Sequence, residues 1–271
     1  MNAAGAPPVR LELADGVAVA TLDRPGKLNA FAGDMRERLV EVVRTVGANP
    51  DARVLVVTGA GRAFCSGGDV DFMRDLLARG AGYDELAPQV DAGREVVTAL
   101  AALPIPVIAA LNGVAAGAGA NLALACDVRL ASDEARFGET FVRIGLHPDW
   151  GGSWTLPRVV GLAKALDLCW SGEVIGADEM LRLGIVQRLW PAAAFEPEWR
   201  AYAARLAAGP RTSLRAIKAS LRASAERTLA QALDAEAGAQ RACWESGDAA
   251  EGLGAFREKR EPRFVSAAAA R

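Results

Sequence analysis

Residues 107–121, near the middle of the chain, constrain the fold more than any other stretch. Val107-Ile108-Ala109-Ala110-Leu111 is the uninterrupted apolar run that a strand buried on both faces needs. It breaks at the turn dipeptide Asn112-Gly113. The chain then continues through Val114-Ala115-Ala116-Gly117-Ala118-Gly119-Ala120-Asn121 before residues 122–126 take up a helical pattern. A strand feeding a glycine-rich turn and then a helix leaves the first N–H groups of that helix without partners. With the helix dipole behind them, such groups suit an anion or a developing oxyanion. The design occurs twice, because apolar residues 54–58 run into Gly59-Ala60-Gly61-Arg62-Ala63-Phe64-Cys65-Ser66-Gly67-Gly68-Asp69. Taken singly, each loop reads as glycines permitting a tight turn. Taken together, they predict two N–H groups aimed at one point.

The 271 residues are 51% apolar and carry a formal net charge of -2. No basic stripe is interleaved with aromatics, which argues against a nucleic-acid partner. Cys65, Cys126, Cys169 and Cys243 are scattered, so free thiols in a reducing compartment are expected. Residues 1–8 lack a basic and then apolar leader pattern. The longest apolar run, residues 99–111, falls short of the ~20 residues of a membrane span and contains Pro104 and Pro106. The reading is a cytoplasmic protein without a membrane partner. His147 is the one histidine, so no multi-histidine metal site is expected, and beside Pro148 it reads as a turn residue rather than a base.

Along the chain, residues 9–14 and 16–22 alternate around Asp15-Gly16 as a hairpin. Asn29 is placed to cap a helix running from Phe31 through Met35, Leu39, Val42, Val43 and Val46. Residues 71–84 read as partly loop, and residues 90–103 as a helix ended by Pro104. Strands are expected at 128–131, 135–137 and 185–190, with short helices at 162–170 and 177–183. Helices at 198–208, 211–224 and 228–244 follow, then one carrying Leu253 and Phe256, before a frayed tail at 267–271. The pattern predicts an α/β core over residues 1–200 and a helical region over 201–271 that caps the core or forms oligomer contacts, all within one family domain.

Two nucleotide motifs fail. Gly59-Ala60-Gly61 opens like a dinucleotide fingerprint, but its sixth position is Phe64 and no acidic residue closes a following strand. Neither loop ends in Gly-Lys-Ser/Thr, so neither is a phosphate P-loop.

A different set of residues fits together. Asp23-Arg24-Pro25 with Leu28-Asn29-Ala30, the run from Gly61 to Asp69, residues 106–127, Phe137-Gly138, and Gly151-Gly152 through Gly161 resemble the enoyl-CoA hydratase/isomerase (crotonase) family. The resemblance spans residues 9–264. It implies a crotonase-like spiral of ββα units, a homotrimer or dimer of trimers, and an acyl-CoA thioester whose CoA belongs to the substrate, with no separate cofactor. It also implies that the N–H groups of Gly68 and Ala118 hold the thioester oxygen as an enolate develops, each such donor being worth ~3 kcal/mol of barrier. Lys27, Leu28, Ala30, Ser66 and Asp69 would line the CoA path. Phe256 and Lys259 would reach the adenine end, on this subunit or a neighbour.

The departures narrow the chemistry. Hydratases of this family carry two glutamates, at the positions of Asn121 and Phe141 here. Neither residue is a base, so two-glutamate water addition is not expected. Asp149, in Gly145-Leu146-His147-Pro148-Asp149-Trp150-Gly151-Gly152, is similar in position to the proton-moving aspartate of the ring-epoxyphenylacetyl-CoA isomerase branch. The chlorobenzoyl-CoA dehalogenase branch has an aspartate nucleophile nearby. Asp149 is therefore either a base or a cap for the helix opening near Gly151. Glu139 is either a second candidate acid or a solvent-facing residue. The expected activity is an enoyl-CoA isomerase, with Trp150, Trp154 and Phe141 as an apolar wall that dries Asp149. The alternatives are a hydratase, a hydrolase or dehalogenase of the same family, or a catalytically weak acyl-CoA-binding scaffold.

Overall fold

The segments flanking Asp15-Gly16 pair as β1 (Val9–Ala14) and β2 (Val17–Leu22), with Ala14 opposite Val17. Both turn residues have positive φ, 50° and 78°, which matches the twist of the flanking strands. A computed structural model describes residues 7–264 and Ser266. After the hairpin come α1 (Met35–Ala48), β3 (Val54–Gly59), β4 (Ala63–Cys65), α2 (Val70–Ala78), α3 (Tyr83–Ala102), β5 (Val107–Leu111), β6 (Val114–Ala116) and α4 (Ala118–Ala125). Next are β7 (Val128–Ser132), β8 (Arg136–Gly138), α5 (Gly152–Val160), α6 (Leu162–Ser171), β9 (Val174–Gly176), α7 (Ala177–Arg182) and β10 (Arg188–Trp190). The chain closes with α8 (Ala192–Ala207), α9 (Arg211–Arg222), α10 (Leu229–Glu245) and α11 (Asp248–Glu258).

The strands divide between a six-stranded sheet, β1-β2-β3-β5-β7-β10, and a four-stranded sheet, β4-β6-β8-β9. Each of the pairs β3/β4, β5/β6 and β7/β8 gives one strand to each sheet before the chain turns into helix. This is the ββα spiral of the crotonase fold. From β2 onward the larger sheet is parallel, and its inner strands are buried on both faces. Alternation along β3 shows the two layers. Leu55 and Val57 join the main core with Leu39 and Leu100, whereas Val54 and Val56 pack with Phe195, Trp199 and Ala203 of α8. Residue 200 therefore lies inside a helix seated on the sheet.

Several expectations are corrected. Asn29 is not a helix cap. It is fully buried at φ 57°, and its Nδ2 donates to the carbonyls of Ala60, Ala63 and Phe64, tying two loops together. The first helix opens at Met35 rather than Phe31, because Phe31 is held in a parallel bridge with Gly68. Residues 71–84 are loop at 79–82, as expected in part, and helix on either side. Asp69 starts α2 by accepting from the N–H groups of Asp71 and Phe72, which makes the polar stretch a capped first turn. The last expected strand shrinks to β10. The expected fraying of residues 267–271 lies outside the described residues. Among the described residues no helix is long and apolar enough to cross a membrane.

Close packing of α4 on β4 brings the two glycine loops together. A Cβ on Gly119 would stand 2.1 Å from the Cys65 carbonyl oxygen, a distance no side chain tolerates. At Gly67, with φ 102°, a Cβ would meet the Ala116 oxygen at 2.8 Å and the Ala118 nitrogen at 3.4 Å.

Candidate active site

The Phe31 N–H donates to the Gly67 carbonyl (2.8 Å), and the Asp69 N–H donates to the Phe31 carbonyl (3.1 Å). This ladder fixes residue 68 while leaving the Gly68 N–H with no acceptor among the described residues. Across the contact, the Gly117 N–H donates to Gly138 (2.9 Å) and the Asn121 N–H to Gly117 (3.0 Å). Ala118, first residue of α4, has no acceptor for its N–H among the described residues. All eight residues of α4 are buried, so the positive end of its dipole is little screened where it meets the loop. Gly68 and Ala118 line one cavity of about 510 Å³, together with Ser66, Asp69 and Asp149.

Asp149 is not a cap. Gly151 occupies the N-cap position of α5 without any side-chain bond. It is the Asp149 backbone carbonyl that is used, accepting from Gly152 N–H (3.0 Å) and from Asn121 Nδ2 (2.9 Å). Its side-chain Oδ1 is buried without a partner among the described residues. Burial pushes the carboxyl up to about 6, opposed by the Arg36 cation. The other carboxylate on the cavity wall, Asp69, is already held by the first turn of α2 and by Arg24 at 3.3 Å.

Glu139 does not face solvent. It is 1% exposed, lies outside the cavity lining, and neither carboxyl oxygen has a partner among the described residues. Burial pushes it up to about 8, so it is neutral near neutral pH. The fold thus keeps a proton that an unfolded chain loses near the usual ~4.3. Stability linked to Glu139 is fully present below that value and is lost as pH rises toward 8. Glu139→Gln is expected to remove this dependence, with a melting temperature on the order of 5 °C above wild type at pH 8 and equal to it at pH 4. Two melting curves that stay parallel across pH would show that the carboxyl is not held neutral.

Of the remaining predicted residues, Ser66 and Asp69 reach the cavity. Lys27, Leu28 and Ala30 lie beside it without lining it. Lys27 is exposed and paired with Asp71 at 3.1 Å, and the Leu28 carbonyl accepts from the Ser66 N–H at 3.0 Å. Phe256, 83% exposed on α11, and Lys259 at the end of that helix do not line the cavity. The apolar wall is also revised. Phe141 lines the cavity, but Trp150 is turned inward at φ 50° to stack on Phe31 at 4.5 Å, and Trp154 is half-exposed beneath Arg158. Phe72, Met73 and Ile144 stand in the wall instead. Cys65 is no nucleophile, since burial pushes its thiol up to about 12. Sequence reasoning missed Arg36, a buried cation in the cavity wall.

The model of the family described as enoyl-CoA hydratase/isomerase matches residues 12–267. A Rhodobacter capsulatus protein named "Probable enoyl-CoA hydratase" is 43% identical over 95% of this chain and 97% of its own length. The 1,2-epoxyphenylacetyl-CoA isomerase of Escherichia coli is 38% identical over 92% of this chain and 95% of its own. The crystal structure of an enoyl-CoA hydratase from Bacillus anthracis superposes with a TM-score of 0.89 at 30% identity, covering 96% of this chain and all of that one.

Proposed function

This chain belongs to the enoyl-CoA hydratase/isomerase family, and we propose that within it the protein is an enoyl-CoA isomerase with Asp149 as its single base. One observation carries the reading: Asp149 is the carboxylate on the cavity wall whose side chain the protein does not already hold. The thioester oxygen of the substrate would accept from the Gly68 and Ala118 N–H groups, with CoA running past Ser66 and Asp69 toward Lys27, Leu28 and Ala30. Asp149 takes a proton from the α- or γ-carbon, and the C–H electrons move toward the oxygen as the enolate forms. The protonated Asp149 then returns the proton at the other carbon, and the double bond has moved. The step is redox-neutral and adds no atom. Assembly as a trimer or dimer of trimers is part of the proposal. It rests on the apolar side chains that α10 and α11 leave exposed, Leu229, Leu233, Trp244, Leu253 and Phe256.

Hydration is the second reading, favoured by the name of the Rhodobacter relative. It asks for a held water as well as a base. Of the two residues at the hydratase glutamate positions, Asn121 spends its Nδ2 on the Asp149 carbonyl and Phe141 is apolar. Incubation of a 3-enoyl-CoA in deuterated water separates the readings. Isomerisation should yield the 2-enoyl-CoA, with deuterium entering at the α- or γ-carbon and no oxygen added. Stoichiometric 3-hydroxyacyl-CoA from a 2-enoyl-CoA, with the 3-enoyl-CoA left unchanged, would establish the hydratase instead. Release of free CoA would indicate a hydrolase, and tight binding without turnover a scaffold.

A further inference from the structure

Arg36 has the surroundings of a residue awaiting an anion. It lies on the apolar face of α1 with Met35, Leu39, Val40 and Val43, and is 7% exposed. A buried guanidinium costs free energy unless an acceptor offsets its lost hydration. Yet Arg36 makes no ion pair among the described residues. Its Nη1 donates to the neutral Oε1 of Gln89, and the Phe31 ring lies 5.3 Å from its Cζ. Nε is buried without an acceptor, and Nη2, on the same edge of the fork, has none among the described residues either. Nη2 stands 3.9 Å from where a Cβ on Gly68 would sit, so this donor lies beside the oxyanion loop. Asp149 shares the cavity wall but stays beyond ion-pair distance, and a residue serving only as its counter-ion would be expected to touch it.

We propose that Arg36 receives an anionic oxygen of the acyl group, so that the site selects acyl-CoA thioesters carrying a second carboxylate a few carbons from the thioester. A carboxylate oxygen can accept a charge-assisted hydrogen bond from Nη2, which a hydrocarbon chain cannot do. The proposal rests on the acyl-CoA reading of the cavity and adds the substrate class.

The test uses two saturated thioesters that no isomerase can turn over: glutaryl-CoA, with a carboxylate at carbon five, and its neutral isostere 5-methylhexanoyl-CoA. Calorimetry on the full-length protein is expected to show glutaryl-CoA binding about tenfold or more tightly than the isostere, the effect of hydrogen bonds to a charged group. Arg36→Met should collapse that ratio to about one. Arg36→Lys, which keeps the charge but loses the fork, should fall between. Equal wild-type affinities overturn the proposal while leaving the isomerase reading standing. So does an Arg36→Met variant that weakens both ligands with the ratio unchanged, which would make Arg36 a counter-ion. If neither thioester binds, both readings fall. Should Arg36→Met fail to fold, the wild-type ratio alone decides.

Discussion

Asp149→Asn is expected to lower kcat for double-bond isomerisation by ~10²–10⁴-fold, the usual worth of a positioned general base. Asparagine has nearly the same shape, and the contacts that position residue 149 run through its backbone carbonyl, to Gly152 and Asn121, which the substitution leaves in place. The melting temperature should therefore change little. Wild-type activity should also carry the signature of this group. The base works ionised, and burial pushes it up to about 6, so kcat/KM should fall tenfold per unit as pH drops below that value. The variant should lack that limb. An Asp149→Asn enzyme with near wild-type kcat, beside a Glu139→Gln enzyme that has lost activity, would transfer the role to Glu139. The geometry argues against that outcome, since Glu139 is sealed behind the wall and holds its proton to about 8.

What the sequence makes legible here depends on how local the physics is. The hairpin is set by two adjacent residues that tolerate positive φ, and the start of α4 by a strand, a turn dipeptide and small residues in one run. The short strands β4, β6 and β8 span three residues each, less than a period-2 pattern needs to show itself. They pair with one another and, through β8, with β9, always at long range. Asn29 looks like a cap because asparagine beside a helical pattern usually is one. The carbonyls that its Nδ2 actually reaches lie more than thirty residues away. Trp150 looks like cavity wall by position, and only its left-handed backbone turns the ring onto Phe31. Arg36 did leave a signal. It precedes Leu39, Val40 and Val43 by three, four and seven residues, so a charge stood on the apolar stripe where none should be without a reason.

Gly68→Pro is the sharpest test of the backbone donors, because the fold has no other use for the N–H it removes. The hydrogen bonds of the Phe31 bridge run through the Gly67 carbonyl and the Asp69 N–H, so proline at 68 leaves both in place. A Cβ there would meet Met73 Cε at 3.4 Å, ordinary contact. The preceding Gly67 already sits at φ 102°, outside the α region that proline disfavours for its predecessor. Proline lacks the N–H and puts its ring carbon where the donor pointed. One oxyanion donor is worth roughly 3 kcal/mol, so kcat should drop by ~10²-fold or more. Gly68→Ala is the control, keeping the donor and adding only the tolerated Cβ, and should stay within about tenfold of wild type. If Gly68→Pro folds with a wild-type melting temperature and unchanged kcat, Gly68 is not part of the oxyanion site. Equal losses in Gly68→Ala and Gly68→Pro would assign the damage to bulk beside Met73 and Arg36 rather than to the missing donor. The pair of variants therefore separates damage at the donor position, where proline replaces the N–H by a ring carbon, from bulk at the Cβ, which no single substitution at this position does.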